Sequence, residues 1–304
     1  MSQIFDALQQ SATERSASAS REFTAAKELL QVVEGDAGTS AAAVVPPVRI
    51  TGRGPLRQFP VAKAFPASHK FACFTQTDSL AAEKFRFLAT RLRHIQQKRS
   101  LKRLVVTSSV TGEGKSMVAA NLACALAGGQ QQVLLVEGDL RRPSLALHLG
   151  LSDLPGLSQL LQNGTESSNN AYYLENSGFC IVLAGTVSKN PLELLEPGKL
   201  STVIDHMSGG FDWVVIDSPP VLPLADTSVW MRLADAVMLV TRPGVTAKRQ
   251  LQRTLEAIEQ SKLLGAVVNA STEATSNNYY YHYTARSRLQ ASGPAVPQQT
   301  VISQ

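Results

Sequence analysis

VVTSSVTGEGKSMVAANLACALA, Val105 to Ala127, is the stretch whose reading decides the fold. It passes from a β-branched apolar segment, through a loop with two glycines, into small and apolar residues at helical spacing. Gly112 and Gly114 let backbone N–H groups turn inward on an anion, Lys115 reaches toward terminal phosphates, and Ser116 is placed to ligate magnesium. The helix that opens there carries the positive end of its dipole at the anion. Ser109 stands where the strict pattern has Gly or Ala, five residues before the second glycine. Strand, loop, lysine, hydroxyl and helix in this order predict a phosphate-binding loop.

Outward from it, short apolar segments (RLVVTS, QVLLVEGD, FCIVLAG, DWVVIDS, AVMLVTR, GAVVNA) alternate with helical stretches (KSMVAANLACALA, PLELLEPGKLSTVIDHM, ADTSVWMRLA, AKRQLQRTLEAIEQSKLL). That alternation predicts an α/β fold with a mostly parallel sheet, helices on both faces, and ligands at the carboxyl ends of the strands. Upstream, SLAAEKFRFLATRLRHIQQ places Leu80, Phe87, Leu88 and Leu92 near helical spacing, with Asp78 as the expected cap. Two further acidic stations fall at strand ends. VLLVEGDLRRP puts Glu137 and Asp139 beyond one strand, and FDWVVIDSPP puts Asp217 at the end of another, before the stiff pair Pro219–Pro220. Carboxylates in such places beside a phosphate loop are where magnesium, its waters and an attacking nucleophile are held.

The two ends of the chain read differently. Residues 1–74 are rich in Ala, Ser, Gln and Pro and predict a flexible arm or linker, with Ile4, Phe5 and Leu8 sharing one face of a short helix; residues 272–304 predict a disordered tail holding YYYHY. The packed domain is expected over residues 75–271. Among 304 residues, 44% are apolar, which is enough for one sizeable core. The net charge of +5 is unevenly placed: Lys84, Arg86, Arg91, Arg93, Lys98, Arg99, Lys102 and Arg103 face only the acid Glu83. This is a local basic helix and not a nucleic-acid-binding protein; a subunit interface, attraction to anionic lipid and a solvated face are the open readings. Three widely spaced cysteines, Cys73, Cys124 and Cys180, give neither a disulfide framework nor metal-ligand spacing. No apolar run approaches the ~20 residues of a membrane span, so a reducing cytosol is the expected setting.

TGEGKS, VLLVEGDLRRP, VVIDSPP and YYYHY, in that order, resemble the motifs of bacterial tyrosine autokinases of the capsule and exopolysaccharide type, a family with the P-loop NTPase fold. The resemblance covers Asp78 to Asn269 and the tail, roughly two thirds of the chain. It implies ATP and Mg2+ as cofactors. It implies that Lys115, Glu137, Asp139, Arg141 and Asp217 serve phosphoryl transfer, Arg141 by stabilising charge or making a subunit contact. Thr111, Gly112, Glu113, Gly114, Lys115, Ser116, Met117 and Asn269 would surround the nucleotide, Ser116, Asp139 and Asp217 would serve the metal, and Tyr279, Tyr280, Tyr281 and Tyr283 would accept phosphate. It further implies a homo-oligomeric ring, a separate membrane-bound polysaccharide co-polymerase as activator, a cognate tyrosine phosphatase, and a place at the inner face of the plasma membrane.

The chain departs from the family's pattern at three positions. Glu137 stands where the family has Asp near the incoming tyrosine hydroxyl. Misplacement on the order of 1 Å costs roughly a hundredfold in rate, so Glu137→Asp is expected to raise transfer. Thr111 replaces a proline in the loop, and Ala89 stands where the second arginine of Glu-x-x-Arg-x-x-Arg belongs, with Arg91 or Arg93 as substitutes. Two other readings stay open at this point. One is a partitioning or cell-division ATPase, disfavoured because Thr107 to Val110 contain no lysine. The other is a non-catalytic, nucleotide-bound regulator of a polysaccharide exporter.

Overall fold

In a computed structural model, residues 59–64, 70–151, 154–163, 170–186, 191–222 and 225–270 are described. The apolar segments become strands β1 (Val61–Ala62), β2 (Arg103–Ser108), β3 (Val133–Glu137), β4 (Tyr172–Leu174), β5 (Phe179–Val182), β6 (Trp213–Asp217), β7 (Ala236–Thr241) and β8 (Leu263–Val268). They form one sheet in the order β1-β4-β5-β3-β6-β2-β7-β8. Every neighbouring pair is parallel except β4 with β5, an antiparallel hairpin that the alternating pattern did not announce.

The continuous apolar runs have a physical cause. Every residue of β3 and β6 is buried, because helices cover both faces of the sheet. Alternate residues therefore enter different cores. Leu104, Val106, Leu135 and Val215 pack beneath one helical layer, and Val105, Leu134, Val136 and Ile216 beneath the other. The first layer holds α1 (Ala72–Thr75), α2 (Leu80–Lys98), α3 (Lys115–Ala127) and α4 (Leu145–Leu149). The remaining helices are α5 (Leu157–Asn163), α6 (Pro191–Leu194), α7 (Pro197–Ser208), α8 (Asp226–Leu233) and α9 (Lys248–Ala257).

Several expectations change. The cap of α2 is Ser79, whose side chain accepts from Ala82 N–H at 3.2 Å, and not Asp78. Phe87 is not on the packed side of that helix. Ala82, Ala89 and Leu92 are buried there, while Phe87 is exposed with the Arg91 guanidinium 6.0 Å from its ring centroid. Ala89 is fully buried, so an arginine at that position would have to leave the core. Arg93 donates to Thr90 Oγ1 at 3.0 Å on its own helix.

The packed body also starts before residue 75. Val61 and Ala62 pair with Tyr173 and Leu174, and Ala64, Phe71 and Ala72 are buried. Phe59 packs on Phe211 at 6.0 Å, and Phe74 stands edge-on to Phe179 at 5.9 Å. These aromatics are scattered through a breaker-rich segment, so composition averages hide them. The final helix stops at Ala257, and the last strand begins at Leu263, two residues earlier than GAVVNA predicts, because Val237 N–H must reach Lys262 O at 2.7 Å. The arm over residues 1–58 and the tail with its tyrosine cluster lie outside the described residues. Among the described residues, no helix is long and apolar enough to cross a membrane.

Candidate nucleotide and phosphoryl-transfer site

The loop between β2 and α3 is built on left-handed glycines, Gly112 at φ 85° and Gly114 at φ 90°. A side chain at Gly114 would also collide with the Asn269 amide, whose nitrogen lies 2.2 Å from the position a Cβ would take. Asn269 Nδ2 donates to Glu113 O at 2.8 Å, fixing the loop to the end of β8. The Glu113 side chain turns inward. It accepts from Val110 N–H at 2.8 Å and from the Thr246 hydroxyl, so it braces the loop and does not line the cavity.

Lys115 opens α3 with its ammonium among acids, 2.9 Å from Asp139 Oδ2 and 3.7 Å from Asp217 Oδ1. Burial opposes its charge, but Asp217, Asp139 and Glu137 outweigh burial and raise its pKa. Asp139 is almost fully buried, and its Oδ1 accepts from Arg142 N–H at 3.0 Å. Asp217 is fully buried, and among the described residues neither of its carboxylate oxygens has a hydrogen-bond partner. Burial pushes its pKa up to about 6, against the pull of Lys115 and of the neighbouring Ser116 hydroxyl, which lies outside strict hydrogen-bond geometry. The Ser116 hydroxyl accepts from Ser144 Oγ–H at 3.1 Å. Orphaned carboxylate oxygens, a second carboxylate and a helix-opening hydroxyl are a donor set that fits a hard divalent cation such as magnesium.

Glu137 sits level with Asp217 across the β3–β6 pair but has a different environment. Its Oε1 accepts from Ser144 and Leu145 N–H at 2.6 and 2.5 Å, and its Oε2 from Ala184 N–H at 3.0 Å. Burial raises its pKa, and these N–H groups and Lys115 reverse only part of that effect. The carboxylate thus ties the start of α4 to the end of β5, and it does not line the cavity. The expected role beside an incoming hydroxyl would require the side chain to give up these backbone bonds. Gly138, between the two acids, has no room for a side chain: a Cβ would meet the Trp230 ring at 2.8 Å and Asp217 O at 3.1 Å.

Arg141 makes a two-point ion pair with buried Asp226 on α8, Nε to Oδ2 at 2.6 Å and Nη2 to Oδ1 at 3.1 Å. It anchors the loop after β3 and does not line the cavity. Thr111, Gly112, Gly114, Lys115, Ser116, Met117, Asp139 and Asn269 do line it, a space of about 410 Å³. The sequence reading missed Lys70, Phe71, Arg142, Ser144, His148 and Arg242 on the same walls. Of these, Arg242 carried a legible signal, since it ends the strand AVMLVTR; its Nη1 lies 3.5 Å from Gly112 O.

A glycine loop between a buried strand and a helix, with its lysine facing strand-end aspartates, defines a P-loop nucleotide-binding protein. The ParA family model, described as NUBPL iron-transfer P-loop NTPase, matches residues 100–284. The chain is 31% identical over 218 residues to Tyrosine-protein kinase YwqD of Bacillus subtilis, spanning 71% of this chain and 92% of that protein. Among solved structures it is similar to the chimerical protein CapA2B2, with a TM-score of 0.63, 28% identity and coverage of 70% and 95% of the two chains. The kinase domain of the Escherichia coli tyrosine kinase ETK aligns with a TM-score of 0.62 at 26% identity, over 72% of this chain and 87% of that one. The chain belongs to the P-loop NTPases and, within them, to the bacterial tyrosine-protein kinases of the capsule and exopolysaccharide type.

Proposed function

We propose that the protein transfers the terminal phosphoryl group of ATP, with Mg2+, to Tyr279, Tyr280, Tyr281 and Tyr283 of its own tail. The supporting observation is the convergence of Lys115, Ser116, Asp139 and Asp217 on one glycine loop at the ends of β2, β3 and β6. Lys115 moves from Asp139 to the phosphates as they enter, which frees Asp139 Oδ2. Of the strand-end acids Glu137, Asp139 and Asp217, Asp139 alone lines the cavity, so it takes the tyrosine proton. The tyrosine oxygen then bonds to the terminal phosphorus as the bridging bond to the β-phosphate breaks, and ADP leaves. Ser116, with Asp139 and Asp217, would hold magnesium, which would supply neutralisation of phosphate charge. Glu137 and Arg141 position the loops that carry these groups.

Tyr279 lies ten residues beyond Asn269 and reaches at most about 35 Å when fully extended. That length suits a neighbouring subunit better than a return around its own domain, so transfer runs between subunits of a ring. Each phosphotyrosine brings roughly −1.5 to −2 charges, and the modified tail is repelled by the acids of the neighbouring site. A membrane-bound polysaccharide co-polymerase recruits the protein to the inner face of the plasma membrane, a tyrosine phosphatase resets it, and the cycle regulates polymer synthesis and export.

Intact mass before and after incubation with ATP and Mg2+, with phosphotyrosine detection, tests the activity; an unchanged mass would refute it. Mixing a Lys115→Met chain with an active chain whose four tail tyrosines are Phe tests the direction of transfer. The inactive chain is expected to be labelled, and its staying unlabelled within mixed oligomers would exclude transfer between subunits.

A further inference from the structure

One buried polar side chain beside the phosphate loop has no part in the chemistry above. Asn121 lies within α3 and is fully buried. Its Oδ1 accepts from Cys73 N–H at 2.9 Å, and its Nδ2 donates to Lys70 O and to Met117 O, each at 2.9 Å. Both amide donors and the acceptor are therefore used. The residues it holds matter for their location: Lys70 and Phe71 form a wall of the same cavity as Gly114, Lys115 and Ser116. Met117, which takes the other amide proton, lines it too. Further along α3, the Cys124 thiol donates to Cys73 O at 3.3 Å. Phe71 packs against His148, another wall residue, at 5.8 Å.

We infer that Lys70–Cys73 is a nucleotide-responsive wall of the phosphate site, and that Asn121 is the positioning residue coupling it to the phosphate loop. The inference rests on the reading of this cavity as the nucleotide site. The segment joins the domain through short-range contacts to a helix whose first residues hold phosphate. A ligand that touches both loop and wall favours the arrangement in which Asn121 holds them together. By linkage, that arrangement favours the ligand by the same factor. Without the amide, the bonds to Cys73 N–H and Lys70 C=O are lost and the wall loses its register with α3.

The test is hydrogen exchange of the full chain, with and without saturating ADP and Mg2+. Peptides spanning 109–117 and 70–76 are both expected to slow on binding. Asn121→Leu, which keeps the branched four-atom skeleton and removes the polar atoms, should weaken ADP binding about tenfold by calorimetry, within the usual range of site coupling. In that variant, saturating ADP should still slow 109–117 but no longer 70–76. Slowing at 109–117 alone in the wild type would overturn the inference and leave the nucleotide reading intact. No slowing at 109–117 would overturn the nucleotide reading and the inference with it. Unchanged ADP affinity in Asn121→Leu would show that the amide couples nothing; the wild-type exchange comparison decides the matter even if that variant fails to fold.

Discussion

Replacing Asp217 with asparagine should stabilise the nucleotide-free protein while abolishing phosphotransfer. The carboxylate is fully buried without a hydrogen-bond partner, and burial raises its pKa from 3.8 to about 6. A carboxyl group with a raised folded pKa holds its proton more tightly in the folded than in the unfolded chain. Its contribution to stability is therefore fully present below about pH 4 and is lost as pH rises through about 6. A shift of about two units corresponds to about 3 kcal/mol lost by neutral pH. Asparagine removes that penalty, but it leaves a buried amide to satisfy and takes one counter-charge from Lys115, 3.7 Å away. The expected net gain is about 1–2 kcal/mol at pH 7.5. Between pH 7.5 and pH 5 the advantage should shrink by about 1 kcal/mol, because wild-type Asp217 is then mostly protonated. Urea denaturation in EDTA without nucleotide, at both pH values, measures it. A variant less stable than wild type at pH 7.5 would mean that Lys115 more than offsets the burial of Asp217, and that the acid is structural.

Two further substitutions separate positioning from chemistry. Glu137→Asp, expected from the family pattern to raise transfer, should instead lower stability by about 1–3 kcal/mol and slow phosphorylation. One methylene fewer leaves the carboxylate unable to span Ser144 and Leu145 on one side and Ala184 on the other; equal urea midpoints together with faster autophosphorylation would sink that argument. Arg141→Ala strips the guanidinium from buried Asp226 and should cost about 1–2 kcal/mol, less than for an enclosed pair because the arginine is partly exposed to water. Thermal unfolding that matches wild type would show that this ion pair does not hold the loop.

What the sequence made legible follows from how local each cause is. Helix α3 runs from Lys115 to Ala127 as read, because the glycine loop and its lysine fix the start and Gly128 follows the end. Strands β2, β3, β6 and β7 were legible because burial on both faces forces unbroken apolar runs. Side-chain roles were not, since their partners are distant in the chain. Arg141 finds Asp226 across 85 positions, and Glu113 finds Thr246 across 133. Phe87 shows the same limit on a single helix, where periodicity identified an apolar residue but the packed face is set by Ala82, Ala89 and Leu92.

The strand-end acids show how one architecture assigns different tasks to the same chemical group. Glu137 and Asp217 are register partners on β3 and β6, both fully buried and both with raised pKa values. Yet Glu137 receives three backbone N–H groups while Asp217 receives none. A buried carboxylate that accepts three N–H bonds recovers part of its burial cost; one without such bonds recovers less until a cation meets it. Lys115 meets that need only in part, being 0.8 Å closer to Asp139 than to Asp217 by the two distances 2.9 and 3.7 Å. Hydrogen bonds thus secure the acid that shapes the loops, while the acid beside Ser116 and Lys115 is left with unused oxygen lone pairs. An arrangement selected for stability alone would have satisfied both acids. The unsatisfied one is where the proposed divalent cation would supply the positive charge that the protein's own side chains leave out.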